Sequence, residues 1–205
     1  MRKIGSGQEF ADHRPYSPGD DFRMIDWNVW ARLGNLILRL FEEDEETFVY
    51  LLIDASASMD QGGKFDHARR IAVALAYLAL SNIDRVSVCL FRENFYMLLP
   101  PGSGRGRVST VMEILEKETA SGLSDLPGAV KALSKRSVRR GLVVTISDFL
   151  DCGDVEEAAK FLRYGGYDAF SIHVFSELDE NPALAGEFLL TDNETGEKLS
   201  ASLDD

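Results

Sequence analysis

Cysteine, histidine and tryptophan are scarce in this sequence, and its cations are outnumbered. The two cysteines, Cys89 within an apolar run and Cys152 in a polar stretch, supply neither a disulfide framework nor a metal pair, which points to a reducing cytosol. His13, His67 and His173 are scattered, at spacings that match no zinc site and no catalytic triad. Against 34 Asp and Glu stand 22 Lys and Arg, a formal charge of −12. Phosphate backbones are bound by clustered Lys and Arg, so this balance excludes nucleic acid as the expected partner and favours basic or metal-bearing proteins. Long hydrophobic runs are missing as well. The longest, residues 71–80, is about half of the ~20 residues a bilayer-spanning helix needs. The basic start Met1-Arg-Lys-Ile-Gly-Ser lacks the apolar stretch of a signal peptide. A cytoplasmic chain with no membrane insertion is the expectation.

What is present is a core-forming composition, 205 residues of which 45% are hydrophobic, enough for one main domain. Residues 48–53 form a short run of β-branched, aromatic and leucine residues, the pattern of a buried strand. From 64 to 81, Phe65, Ala68, Ile71, Ala72, Leu75, Leu78 and Ala79 recur at three-and-four spacing and predict a helix with one buried face. Residues 85–91 read as a strand, 95–99 as its antiparallel partner stopped by Pro100-Pro101. Helices follow at 107–117 and, after a Ser124-Asp125 start signal, at 126–135. Residues 141–147 are a further strand, 154–164 a helix ended by Gly165-Gly166, and 168–175 the next strand. Residues 188–199 read as a small hairpin turning at 193–196. Strands alternating with helices predict an α/β fold, a mainly parallel sheet with helices on both faces.

The chemistry concentrates in Asp54-Ala-Ser-Ala-Ser58, placed where the first core strand runs out. In open α/β sheets ligands bind at that edge. Spacing by two turns the Asp54 carboxylate and the Ser56 and Ser58 hydroxyls toward one side, three hard oxygens that suit magnesium. The plainer alternative is a polar turn that caps the next helix. Asp148 ends a second predicted central strand, so it meets Asp54 if the two strands are neighbours. Ser124, at the head of a helix, offers another hydroxyl, and Ser121 competes with it. Elsewhere the signals are structural. Pro101-Gly-Ser-Gly-Arg-Gly-Arg107 lacks the Gly-Lys-Ser/Thr ending of a phosphate loop and reads as a connector. Lys131, Lys135, Arg136, Arg139 and Arg140 gather at a helix end, where cations offset the dipole.

Asp54-Ala-Ser-Ala-Ser58 resembles the Asp-x-Ser-x-Ser motif of the metal-ion-dependent adhesion site (MIDAS) in von Willebrand factor A domains. Upstream, Gly5-Ser-Gly-Gln-Glu-Phe10, Arg14-Pro-Tyr-Ser-Pro-Gly-Asp-Asp21, Arg23-Met-Ile-Asp-Trp27 and Ala31-Arg32 resemble the signature of the bacterial "domain of unknown function 58" family. The resemblance covers most of the chain. It implies a von Willebrand A-like domain at 48–178, preceded by a family-signature arm at 1–47 and followed by a hairpin and tail at 179–205. It implies a site completed by a later-loop threonine, here Ser124, and by Asp148. The implied metal ligands are thus Asp54, Ser56, Ser58, Ser124 and Asp148, around Mg2+ or another divalent cation. No catalysis is implied. The implied role is a metal-dependent interaction module, an adaptor for a MoxR-type AAA+ ATPase in protein maturation or complex assembly, acting on an unknown client. The competing class is a magnesium-dependent hydrolase or phosphotransferase, for which the sequence shows no general base or nucleophile beside the proposed ligands. Family members commonly continue beyond the region seen here.

The arm also has a reading of its own. Asp20, Asp21, Arg23, Asp26, Trp27, Trp30 and Arg32 crowd together, and indoles are costly to expose, so the arm is expected to be packed, with buried tryptophans and Arg-carboxylate pairs. Residues 36–41 read as an added strand, and the acidic run 42–46 as a solvated turn.

Overall fold

A computed structural model describes residues 4–42, 46–137, 139–150, 152–180, 186–191 and 198–203. The chain divides into two compact units, residues 1–46 and 47–205. In the first, strand β1 (Ile4–Pro15) pairs antiparallel with β2 (Ile37–Glu42). Between them lies the seven-residue helix α1 (Trp27–Leu33). Asp26 caps α1 by accepting the N–H groups of Asn28 and Val29, and Gly34 ends it in the left-handed conformation that glycine tolerates. The sequence reading missed β1 and α1 as elements. It also placed both indoles inside, whereas Trp27 is 53% exposed and Trp30 48%. The rings lean on each other edge to face, with centroids 6.0 Å apart, because on so short a helix they are close enough to shield one another without a core beneath them. The ion pairs did form, Arg14 with Asp20 and Arg23 with Asp21.

The second unit is a five-stranded sheet in the order β5-β4-β3-β6-β7. The strands are β3 (Phe48–Asp54), β4 (Arg85–Phe91), β5 (Phe95–Gly102), β6 (Leu142–Ser147) and β7 (Asp168–His173). All neighbours run parallel except β5, which returns antiparallel on β4. β5 continues through Pro100 and Pro101 rather than stopping before them. It is an edge strand, and an edge offers positions where the missing N–H of proline breaks no ladder.

Alternation along β3 builds a core on each face. Val49, Leu51 and Ile53 pack toward helices α2 (Lys64–Ser81) and α3 (Arg107–Glu116), with Phe65, Ala68, Ala72, Ala76, Val111 and Leu115. Tyr50 and Leu52 face α4 (Leu126–Arg136) and α5 (Val155–Tyr164), through Val130, Leu133, Ala158 and Leu162. Each buried Val, Leu, Ile or Phe among them contributes about 1.5–3 kcal/mol, and the alanines less. The close face of α2 is its alanine row, which lets the helix approach the sheet, while Leu78 of the expected apolar face is exposed. Cys89 and Cys152 are buried, and burial pushes the Cys89 thiol up to about 12. After β7 comes the short helix α6 (Glu177–Glu180). The expected hairpin is present as β8 (Gly186–Thr191) and β9 (Lys198–Leu203), paired antiparallel, with the expected turn at 193–196 outside the described residues.

Candidate functional site

β3 is followed by α2 and then by β4 on one side, whereas β6 lies on its other side, so the chain reverses direction across the sheet at the carboxyl ends of β3 and β6. Such a reversal opens a crevice where ligands of open α/β sheets bind. Asp54 is the last residue of β3; Ser147 ends β6 beside it, and Asp148 follows directly. Loops close over the crevice through backbone bonds: Ala55 N–H to Phe91 O, Ala57 N–H to Gly122 O, Ser121 N–H to Ala55 O and Leu126 N–H to Cys152 O, between 2.8 and 3.0 Å.

The side chains form one hydrogen-bonded cluster. Asp54 Oδ1 accepts the Ser56 N–H at 2.9 Å, while Oδ2 accepts the hydroxyls of Ser147 at 2.6 Å and Ser124 at 3.0 Å. Ser56 Oγ and Ser58 Oγ lie 3.0 Å apart, and Ser58 Oγ donates to Asp148 Oδ1 at 3.3 Å. Asp54 and Ser56 are fully buried, and Ser58, Ser124 and Asp148 nearly so. All five residues singled out from the sequence therefore meet at the carboxyl edge of the sheet. The plainer capping alternative does not describe the serines. Ser56 precedes a 3-10 stretch (Ala57–Gly63) but makes no side-chain cap bond, and its hydroxyl turns into the cluster instead. Of the two later-loop candidates, Ser124 touches Asp54, whereas Ser121 is exposed and its hydroxyl accepts from Arg92 at 3.2 Å.

Two members of the cluster escaped the sequence reading. Ser147 donates to Asp54 and its Oγ accepts the Phe149 N–H at 2.8 Å. Lys64, the first residue of α2, is buried to 2% and sets its ammonium 2.7 Å from Asp148 Oδ2 and 3.3 Å from Asp179 Oδ2. The Gly62-Gly63 pair places it there. Both glycines are left-handed, and a Cβ on Gly62 would run into Ser176. Phe149, just after Asp148, has a positive φ of 54°, a strained conformation for a bulky side chain that Ile83, in the turn after α2, also adopts.

Electrostatically, burial raises the Asp54 pKa above its ordinary value, and the bonds from Ser147, Ser56 and Ser124 offset only part of that. Asp179 is held below its ordinary value, chiefly by the Ser176 N–H and further by the Ser176 hydroxyl and Lys64. Among the described residues no group of three or more His, Cys, Asp or Glu gathers as a metal cluster. The site instead combines two carboxylates with hydroxyls, a hard-oxygen set.

With this geometry in hand, comparison with known proteins is informative. The family model of the protein of unknown function DUF58 matches residues 12–205. The chain belongs to the DUF58 family. A Mycobacterium tuberculosis protein described as uncharacterized is 30% identical over 208 residues, which cover 98% of this chain and 65% of the relative. The chain thus spans 65% of the length of the curated relative it matches. Among solved structures, an aerotolerance-related membrane protein from Bacteroides fragilis matches with TM-score 0.52 and 17% identity, covering 77% of this chain and 82% of that one. BatB from Bacteroides thetaiotaomicron, a conserved hypothetical protein, matches with TM-score 0.51 and 17% identity, covering 75% of each. At such identity the likeness concerns the fold, which in this DUF58 member is von Willebrand A-like, a mostly parallel sheet between two helical layers. No helix among the described residues is long and apolar enough to cross a membrane.

Proposed function

We propose that this DUF58 protein is a metal-dependent protein-interaction module without enzymatic activity, cytoplasmic, and partnered with a MoxR-type AAA+ ATPase as an adaptor in protein maturation or complex assembly. Asp54, Ser56 and Ser58 would hold Mg2+ directly, and Ser124 and Asp148 directly or through water. The ion, when bound, supplies a Lewis-acidic position that an acidic residue of the partner completes. The carrying observation is Asp54. It is a fully buried carboxylate whose partners among the described residues are uncharged, the Ser56 N–H and the Ser124 and Ser147 hydroxyls. An unpaired buried charge is costly, and a divalent cation beside these hard oxygens would offset that cost. The hydrolase or phosphotransferase alternative gains nothing comparable. The hydroxyls bond to one another and to the aspartates, and the one ammonium of the cluster is committed to two carboxylates.

The test is capture of the ATPase from the source cell by the wild-type protein in Mg2+, the wild-type protein in EDTA, and Asp54→Asn in Mg2+. Capture is expected in the first arm alone. Equal capture in all three would remove the metal from the interaction, and Mg2+-dependent phosphatase turnover lost in Asp54→Asn would favour the enzyme.

A further inference from the structure

Lys64 has no place in the ligand set proposed above, yet it is the most deeply buried cation at the site. Its ammonium lies between Asp148, which follows β6 directly, and Asp179 of α6, and its own backbone starts α2. Each contact is fixed from behind. Asp148 Oδ1 is turned the other way, toward Ser58 and the Leu150 N–H, so its two oxygens are divided between the hydroxyl cluster and the lysine. Asp179 is held by the Ser176 N–H at 2.8 Å and the Ser176 hydroxyl at 2.9 Å. The lysine side chain is 2% exposed, so water does little to screen its charge.

This geometry has an electrostatic consequence. Alone, Asp54 and Asp148 would offer a cation two negative charges; Lys64 cancels one of them. Asp179 restores part of that charge, and less than a buried carboxylate would, because its side chain is 31% exposed and screened by water. A divalent ion among these groups would therefore leave the site net positive. From this we infer that Lys64 is a positioning residue, the built-in counter-cation of the site, which lowers its affinity for divalent cations and makes an anionic ligand from outside the chain necessary to complete it. This inference rests on the metal-dependent reading above. It concerns an ammonium whose contacts are Asp148 and Asp179 and which would act on an ion through Asp148.

The test is calorimetric titration of Mn2+ alone into the full chain, with circular dichroism as the folding check. Wild type and Asp54→Asn establish whether the Asp54 site binds the ion at all. Lys64→Met keeps the length of the apolar stem and removes the charge, and it should bind Mn2+ about tenfold more tightly than wild type, or more. Asp179→Asn leaves the ammonium less neutralised and should bind several-fold more weakly, while its amide oxygen still accepts from Ser176. A lysine that only braced the fold would give the opposite result in the first variant, loosening Asp148 and weakening the ion. Mn2+ binding by Lys64→Met equal to or weaker than wild type overturns the inference, and it leaves the metal site standing if wild type binds and Asp54→Asn does not. If Lys64→Met fails to fold, Asp179→Asn decides: weaker binding supports the inference, and unchanged or tighter binding overturns it. Absence of Mn2+ binding in both wild type and a folded Lys64→Met overturns the inference together with the metal reading.

Discussion

Asp54 carries its charge where water does not reach it, and three of its neighbours donate hydrogen bonds without neutralising it. Burial is the leading cause of its raised pKa. For a carboxyl group that direction means the folded state is penalised at neutral pH. Stability is then regained as pH falls through the raised folded-state pKa toward the ordinary carboxylate range. Asp54→Asn removes the penalty, so in EDTA it should melt higher than wild type, by about 2–4 °C for each kcal/mol relieved in a chain of this size. It should also lack the gain on mild acidification, which differential scanning calorimetry at a series of pH values would read. A lower melting temperature would mean that the charge is already compensated inside the protein. Which residues reached this site was only partly legible in the sequence. Asp54, Ser56 and Ser58 could be found because period-two spacing at a strand end has one geometric meaning. Ser147 could not, since alternation puts adjacent residues on opposite sides; both Ser147 and Asp148 enter because the backbone turns out of the strand at once, with Phe149 in a left-handed conformation. Lys64 was hidden by the general rule that lysine is exposed unless paired, and its partners lie 84 and 115 positions along the chain.

The elements show where packing overrode the pattern and where it did not. Lys64–Ser81 came out as its periodicity predicted, but the face against the sheet is the alanine row, because small side chains let the helix sit close, and this turns Leu78 outward. In α1 the reverse holds: two indoles crowd one short helix, and neither is buried. Trp27→Ala should accordingly cost under about 2 kcal/mol, rather than the 3–5 kcal/mol typical of a buried tryptophan. Chemical denaturation would distinguish the two values. Asp26 contributes more specifically. Its pKa is held below the ordinary value, first by the Val29 N–H, then by Asn28, with Arg39 and His13 adding to this. A depressed carboxylate pKa stabilises the fold above the unfolded value, and that contribution is lost as pH falls through the folded one. Trp27 and Trp30 are the two tryptophans of the chain, both in α1, so fluorescence excited selectively at tryptophan, beyond the absorption of the tyrosines, follows this helix. An acid titration should show a fluorescence transition in the ordinary carboxylate range or below. Asp26→Asn, which keeps an oxygen for the two N–H groups, should flatten the contribution of that carboxyl to it.

At the scale of the whole molecule, the formal charge of −12 means that any added salt relieves self-repulsion, and a specific ion must be separated from that background. A ligand that binds only the folded state stabilises it by RT ln(1 + [L]/Kd), about 2.7 kcal/mol at a hundredfold excess over Kd. If the cluster of Asp54, Ser56, Ser58, Ser124 and Asp148 holds a divalent cation, the melting temperature should rise with the logarithm of Mg2+ concentration once Kd is passed. Screening by NaCl at matched ionic strength should give a smaller rise that levels off as repulsion is exhausted. Asp54→Asn is the internal control, because it changes the net charge by a single unit and leaves the rest of the acidic surface in place. Its response to Mg2+ should collapse onto the NaCl curve, while wild type continues upward. Coincident wild-type and Asp54→Asn curves across the Mg2+ series would assign the effect to the surface as a whole and leave the buried aspartate with no cation to answer it.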